Sequence, residues 1–101
     1  MDIEKLTRKS QDAFNSAHSI AVDLNHQEIK PVHLFAALLK QEQGIVPSLI
    51  TKAGGDRASV ERELNEKFRK IPAVTGGDSV QTYMSRSLTT VINRAYKKAE
   101  Q

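Results

Sequence analysis

Apolar side chains recur along the first quarter of the chain at steps of three and four residues, which is the spacing of one helix face. Charged and polar residues occupy the positions between them, so the pattern is that of an amphipathic helix with one buried side. The polar run Asn25-His26-Gln27 then interrupts the period. The pattern predicts a long first helix with the inward positions Leu6, Ser10, Ala13, Phe14, Ala17, Ile20, Ala21 and Leu24.

Three shorter helices are predicted after this break. Pro31 suits the first turn of the second helix, and Gly44 is expected to end it. Pro47 is expected to open a third helix, which Gly54-Gly55 terminate because glycine accepts left-handed backbone angles. Asp56 is placed to cap the fourth helix. The predicted inward positions of these helices are Leu34, Phe35, Leu38, Leu39, Leu49, Ile50, Val60, Leu64 and Phe68.

The segment from Ile71 to Tyr83 has the composition of a turn or linker and no helical period. Ser85 can cap a fifth helix beyond it. No convincing strand is found, so the predicted fold class is all-α with five helices. The inward stripe of the fifth helix is Leu88, Val91, Ile92, Ala95, Tyr96 and Ala99.

The fifth helix resembles the first when the chain is compared with itself. A shift of 82 residues aligns Leu6 with Leu88, Thr7 with Thr89, Ala13 with Ala95, Phe14 with Tyr96 and Ala17 with Ala99. The chain is therefore predicted to hold a first repeat of four helices at 1–71, a linker at 72–84, and the opening helix of an incomplete second repeat at 85–101. The chain is expected to be truncated within that second repeat.

Composition narrows the class of protein. The chain has 101 residues, of which 39% are hydrophobic and 27% are charged, and these values fit one compact domain. The absence of cysteine excludes disulfides, Cys-ligated metals and thiol catalysis. No apolar run reaches membrane-spanning length and the amino terminus opens with charged residues, so a cytoplasmic protein without membrane association is expected.

Charge gives little indication of a partner. Fifteen basic and twelve acidic side chains leave a formal net charge of +3. The signs alternate between Glu61 and Lys70, whereas a nucleic-acid binder usually gathers its basic residues in one stripe. No nucleic-acid partner is expected.

No constellation of catalytic or metal-binding residues is found. His33 has no His or carboxylate partner at helical i,i+4 spacing, so a structural, hydrogen-bonded histidine is favoured over a metal ligand or general base. Gly54-Gly55 and Gly76-Gly77 lack the Lys-Ser/Thr of a phosphate-binding loop. The sequence predicts no enzyme, no cofactor and no metal within these residues.

Five short segments, together with the first helix, resemble the first repeat of the amino-terminal domain of Clp ATPase chaperones. They are Ile29–Leu34, Ala36–Leu39, Gln43-Gly44, Leu49-Ile50 and Ala53-Gly54. Pro31 and the segment Leu64–Gly77, which contains the run Ile71–Val74, are closer to ClpB-type disaggregases than to the protease-associated branch. The resemblance implies a domain of two four-helix repeats that precedes the ATPase modules of a hexameric machine. It also implies ATP as the cofactor of the parent protein and a co-chaperone system as its partner.

The resemblance further implies a shallow apolar groove that binds unfolded or aggregated polypeptide. Thr7, Leu88 and Ile92 are the residues expected to bind this substrate. Their positions alone leave open a helix-start role for Thr7 and a core role for Leu88 and Ile92. Arg94 departs from the apolar character expected at the rim of the groove. The alternative function is a structural or adaptor-docking domain of a Clp-type protease chaperone.

Self-association is a further expectation. If the first repeat does not cover the apolar stripe of the fifth helix, that stripe is expected to pack against another apolar surface. A two-fold dimer or a domain swap at high concentration is therefore expected.

Overall fold

The computed structural model describes residues 8–41, 44–74 and 82–100 of the chain. Within these residues the fold is all-α, as predicted, with two very short strands that were not predicted. The helices are α1 (Arg8–Asp23), α2 (Pro31–Lys40), α3 (Ile45–Lys52), α4 (Arg57–Arg69) and α5 (Arg86–Glu100), and the strands are β1 (Glu28–Ile29) and β2 (Tyr83–Met84).

The packing of α1 against α2 is the most extensive between any two elements described. The buried side of α1 consists of Ala13, Ala17 and Ala21, each at most 1% exposed. Ala36 and Ala37 are the small buried residues of α2. Methyl side chains on both helices allow a close approach of the two axes.

Two apolar clusters form the core, and Ile20 of α1 packs against both of them. The first cluster joins α1, β1, α2 and α5, and its buried members are Ala17, Ala21, Ile29, Ala37 and Leu88. The second joins α2 and α4 through Ala36, Leu39 and Leu64, with Val46, Ile50, Val60 and Phe68 packed around them. The predicted inner stripe of α4 is therefore confirmed.

The helix ends follow local side-chain chemistry, with two corrections. The Asp56 carboxylate caps α4 by accepting a hydrogen bond from the backbone N–H of Ala58 at 3.3 Å. Gly44 does not end α2, which stops at Lys40, but is the residue that caps the start of α3. Pro47 does not open α3 either, because the helix begins two residues earlier at Ile45.

The two strands tie the predicted linker to the first helices. β1 and β2 are parallel, with Glu28 opposite Tyr83 and Ile29 opposite Met84. Strands of two residues show no alternating pattern, which explains why they could not be predicted. β2 lies within the segment 72–84 predicted as a linker, of which residues 75–81 are outside the described part. The proposed division at 1–71, 72–84 and 85–101 stays a prediction.

In the parts of the chain that the structure describes, no helix is both long and apolar enough to cross a bilayer.

Candidate functional site

Ser85 fixes the start of α5. Its hydroxyl accepts a hydrogen bond from the backbone N–H of Leu88 at 3.1 Å, and its carbonyl oxygen accepts one from the N–H of Thr89 at 3.0 Å. This cap, which the sequence predicted, satisfies backbone donors of the first turn.

Leu88 and Ile92, two of the three residues predicted to bind substrate, lie one turn apart on the same face of α5. Leu88 is 1% exposed and belongs to the first core cluster. Ile92 is half-buried and packs against that cluster from outside. The core therefore continues along α5 to a partly open edge at Ile92.

Thr7, the third predicted residue, lies outside the described residues. The structure therefore brings together Leu88 and Ile92.

Further apolar side chains on β2 and α5 face solvent. Val91 is 47% exposed, and on β2 Tyr83 and Met84 are 50% and 45% exposed. The Tyr83 hydroxyl donates a hydrogen bond to the Glu28 carboxylate at 3.2 Å, and this bond raises the pKa of Tyr83. We refer to Tyr83, Met84, Val91 and Ile92 as the α5 surface. Large apolar side chains left partly in water are typical of a binding surface where they form one contiguous patch.

An open groove between α1 and α2 was not predicted from the sequence. Its volume is about 560 Å³, and the Gln41 side chain donates a hydrogen bond to the Lys9 carbonyl at 2.7 Å on its wall. Polar positions on α1 are typical of a solvated helix face, so their spacing carried no signal of a concave surface. The groove is lined by Lys9, Asp12, Asn15, Ser16, Ser19, Ile20, Ala37, Lys40 and Gln41.

The prediction that His33 is a structural, hydrogen-bonded residue is confirmed. Its ring is fully buried, its Nδ1 accepts the backbone N–H of Lys30 at 2.8 Å, and its Nε2 lies 2.8 Å from Nδ1 of His26. Burial, followed by the charge of His26, lowers the pKa of His33 to about 4. His26 was not predicted as the partner because the two residues are seven apart. Among the described residues, no group of three or more His, Asp or Glu is arranged to hold a metal.

The chain is similar to a known protein family over nearly its whole length. Residues 5–101 match the Clp repeat (R) N-terminal domain family. The chain belongs to this Clp N-terminal domain family. The resemblance found in the short segments of α2 and its neighbours is thereby confirmed.

Its relatives are described as chaperones. The chain is similar to the chaperone protein ClpB of Clostridium tetani, with 42% identity over 97 residues, covering 94% of this chain and 11% of the relative. It is 40% identical over 103 residues to ClpB of Nitratidesulfovibrio vulgaris, covering 100% of this chain and 12% of the relative. ClpB of Rickettsia felis is 34% identical over 95 residues, with 94% and 11% coverage. The chain thus spans about a ninth to an eighth of the length of these relatives.

Proposed function

We propose that this Clp N-terminal domain recruits substrate for a ClpB-like, ATP-dependent protein disaggregase. It binds exposed apolar segments of unfolded or aggregated polypeptide. Similarity to ClpB chaperones over the whole chain is the observation that carries the proposal. The α5 surface supports it, because that surface offers partly exposed apolar side chains next to the first core cluster.

The three predicted residues contribute to this surface in different ways. Ile92 stands at the open edge and contacts substrate directly, and Val91 joins it because half of its side chain is in water. Leu88 is buried, so it acts from beneath by holding α5 and Ile92 in place. Thr7, which lies outside the described residues, remains one of the residues proposed to bind substrate. Arg94, an exposed residue two positions after Ile92, limits the apolar extent of the surface.

Binding to this surface should be weak, in the micromolar range or weaker. A shallow apolar face buries few side chains of a flexible chain, and ordering that chain costs much of the free energy gained by burial. Weak binding suits a domain that passes its substrate on. In the proposal, ATP binding and hexamer assembly belong to the rest of the ClpB-like protein, and a co-chaperone system is its separate partner.

The test is a titration of a fluorescently labelled, permanently unfolded polypeptide against the wild-type chain and three variants. Ile92→Asp and Val91→Asp should each weaken binding at least about tenfold, because a carboxylate loses its hydration when apolar substrate covers it. Ile45→Asp is the matched control, since Ile45 is 75% exposed on α3 and lies outside the α5 surface. Its affinity should equal that of the wild type.

Circular dichroism shows whether each variant retains its helices. Val91→Asp removes a side chain that is not part of either core cluster, so it provides the measurement if Ile92→Asp unfolds. Equal affinity of a folded Val91→Asp variant and the wild type would contradict the proposed site. If the wild type itself fails to bind unfolded polypeptide, the adaptor-docking alternative takes the place of substrate recruitment. Sedimentation of the same samples tests the expected self-association.

A further inference from the structure

The segment between α1 and α2 holds both the chain that leaves α4 and the chain that enters α5. The backbone carbonyl of Asn25 accepts the N–H of Val74 at 2.7 Å. Further along, the carbonyls of Gln27 and Ile29 accept the N–H groups of Tyr83 and Ser85 at 3.0 and 2.9 Å. We call residues 25–30 the anchor segment. A change in this segment reaches α4 and α5 together.

The side chains of His26 and His33 fix the anchor segment from inside, and their hydrogen bonds allow one arrangement of protons. The Lys30 N–H donates to His33 Nδ1, so this nitrogen carries no proton. The proton of neutral His33 is then on Nε2 and is donated to His26 Nδ1, 2.8 Å away. His26 therefore carries its own proton on Nε2, which leaves that nitrogen to donate to the backbone carbonyl of Phe68.

These hydrogen bonds join the start of α2 to the end of α4. Each ring nitrogen that could take up a proton already accepts a hydrogen bond. Protonation of His33 Nδ1 breaks the bond to Lys30, and protonation of His26 Nδ1 breaks the bond between the rings. The Phe68 ring lies on His33 with centroids 5.2 Å apart and planes 24° apart, so it covers one face of the imidazole. Both rings are at least 96% buried, at 4% exposed for His26 and 0% for His33.

Burial and nearby positive charge oppose protonation of the rings, and they outweigh the backbone hydrogen bonds at Phe68 and Lys30, which favour it. The charges that act on them are the Lys30 ammonium, which acts on both rings, and the charge of His26, which acts on His33. α4 presents the carbonyl and the ring of Phe68, and α1 presents the Ala21 carbonyl, which already accepts the backbone N–H of His26 at 2.8 Å. Burial is the largest cause that lowers the pKa of both rings, to about 4 for His33.

We propose that His26 and His33 form a pH-sensitive latch, which acid opens by breaking the hydrogen-bond chain from Lys30 to Phe68 and so loosening the anchor segment. The closed latch requires two neutral rings. Opening it separates the two rings and weakens the attachment of Val74, Tyr83 and Ser85. This proposal concerns the conformation of the chain and holds whether or not α5 binds substrate.

The direction of the pH dependence follows from the protons bound in each state. Rings that are neutral when buried bind fewer protons in the closed state than in the open state, where an imidazole titrates near its ordinary pKa of 6.5. The latch is therefore fully closed above about pH 6.5 and loses stability as the pH falls toward about 4. In this window the opening equilibrium constant rises by up to about tenfold per pH unit for each proton taken up.

Hydrogen exchange measured by NMR at about pH 7, 6 and 5 tests the latch, with each rate corrected for the intrinsic effect of pH. The protection factors of the Val74, Tyr83 and Ser85 amides should fall by at least about tenfold over this range. The amide of Ala17, in the middle of α1, should lose less protection. The His18→Gln variant removes an exposed imidazole on α1 and should behave as the wild type.

The double variant His26→Gln, His33→Asn distinguishes the pH effect of the latch from that of other titrating groups. The asparagine amide oxygen that the second substitution introduces can still accept the Lys30 N–H, and neither new side chain takes up a proton, so protection at the three amides should become independent of pH. The same pH dependence in this variant as in the wild type would overturn the proposal. Should the variant not fold, ring ¹⁵N shifts of the wild type decide the matter. Two neutral rings at about pH 6 support the latch, and two protonated rings contradict it.

Discussion

At the turn after α3, two adjacent glycines are required for different reasons. Gly54 has a φ angle of 83°, in the left-handed region, and nothing lies within 4 Å of the position that a Cβ would occupy. Gly55 has an ordinary φ, but a Cβ there would lie 3.1 Å from Cγ2 of Ile50. The N–H of Gly55 also donates to the Ile50 carbonyl at 2.8 Å, which closes the end of the helix. Backbone conformation thus constrains the first glycine, and a close approach constrains the second.

Gly54→Ala should lower the free energy of unfolding by about 1 kcal/mol, because left-handed backbone is unfavourable for an L-residue and no contact at this position compensates or adds to that cost. Gly54→Asn is the matched control and should cost less, since asparagine tolerates this region. Urea denaturation followed by circular dichroism measures both values. An alanine variant as stable as the wild type would show that the turn relaxes out of its left-handed conformation.

Single residues also show what sequence can and cannot predict. The cap at Asp56 and the turn at Gly54 were predicted because each depends on the chemistry of its own side chain or backbone. The structural role of His33 was predicted from the absence of chelating partners. Its bond to His26 was not, because that contact depends on the path of the chain between the two helices.

Among the elements, α5 has apolar positions that could be predicted from the sequence, but the residues that cover those positions could not. Its apolar period identified Leu88 and Ile92 as inward residues, and both pack in or against the first core cluster. The same period placed Ala95 inward, yet this residue is exposed, whereas its repeat counterpart Ala13 is 1% exposed. Periodicity indicates which side of a helix is apolar, but what covers that side depends on distant parts of the chain.

Removal of the α5 cap should loosen this helix more than the rest of the fold. Ser85→Ala leaves the Leu88 N–H without its partner, so the free energy of unfolding should fall by about 1 kcal/mol. The Leu88 amide should also exchange faster with solvent. Ser87→Ala is the matched control, because Ser87 is exposed and its hydroxyl contacts the hydroxyl of Ser85 without capping the helix. A Ser85→Ala variant that is no less stable than Ser87→Ala would show that the cap does not hold α5.

At the scale of the whole molecule, the fold offers two surfaces of different chemistry. The α5 surface is apolar and continues from the first core cluster, whereas the groove between α1 and α2 is lined mainly by polar and charged residues, together with Ile20 and Ala37. The sequence predicted part of the first, because apolar spacing is visible along a chain. It did not predict the second, because a concave shape arises from how two helices are placed.

The proposed function depends on the binding of unfolded polypeptide at the α5 surface. Chemical-shift mapping of the ¹⁵N-labelled chain, during titration with an unlabelled, permanently unfolded polypeptide, locates the binding surface residue by residue. The amides of Met84, Val91 and Ile92 should shift progressively as polypeptide is added. Shifts confined to Asn15, Ser16 and Ser19, in the groove between α1 and α2, would contradict binding at the α5 surface.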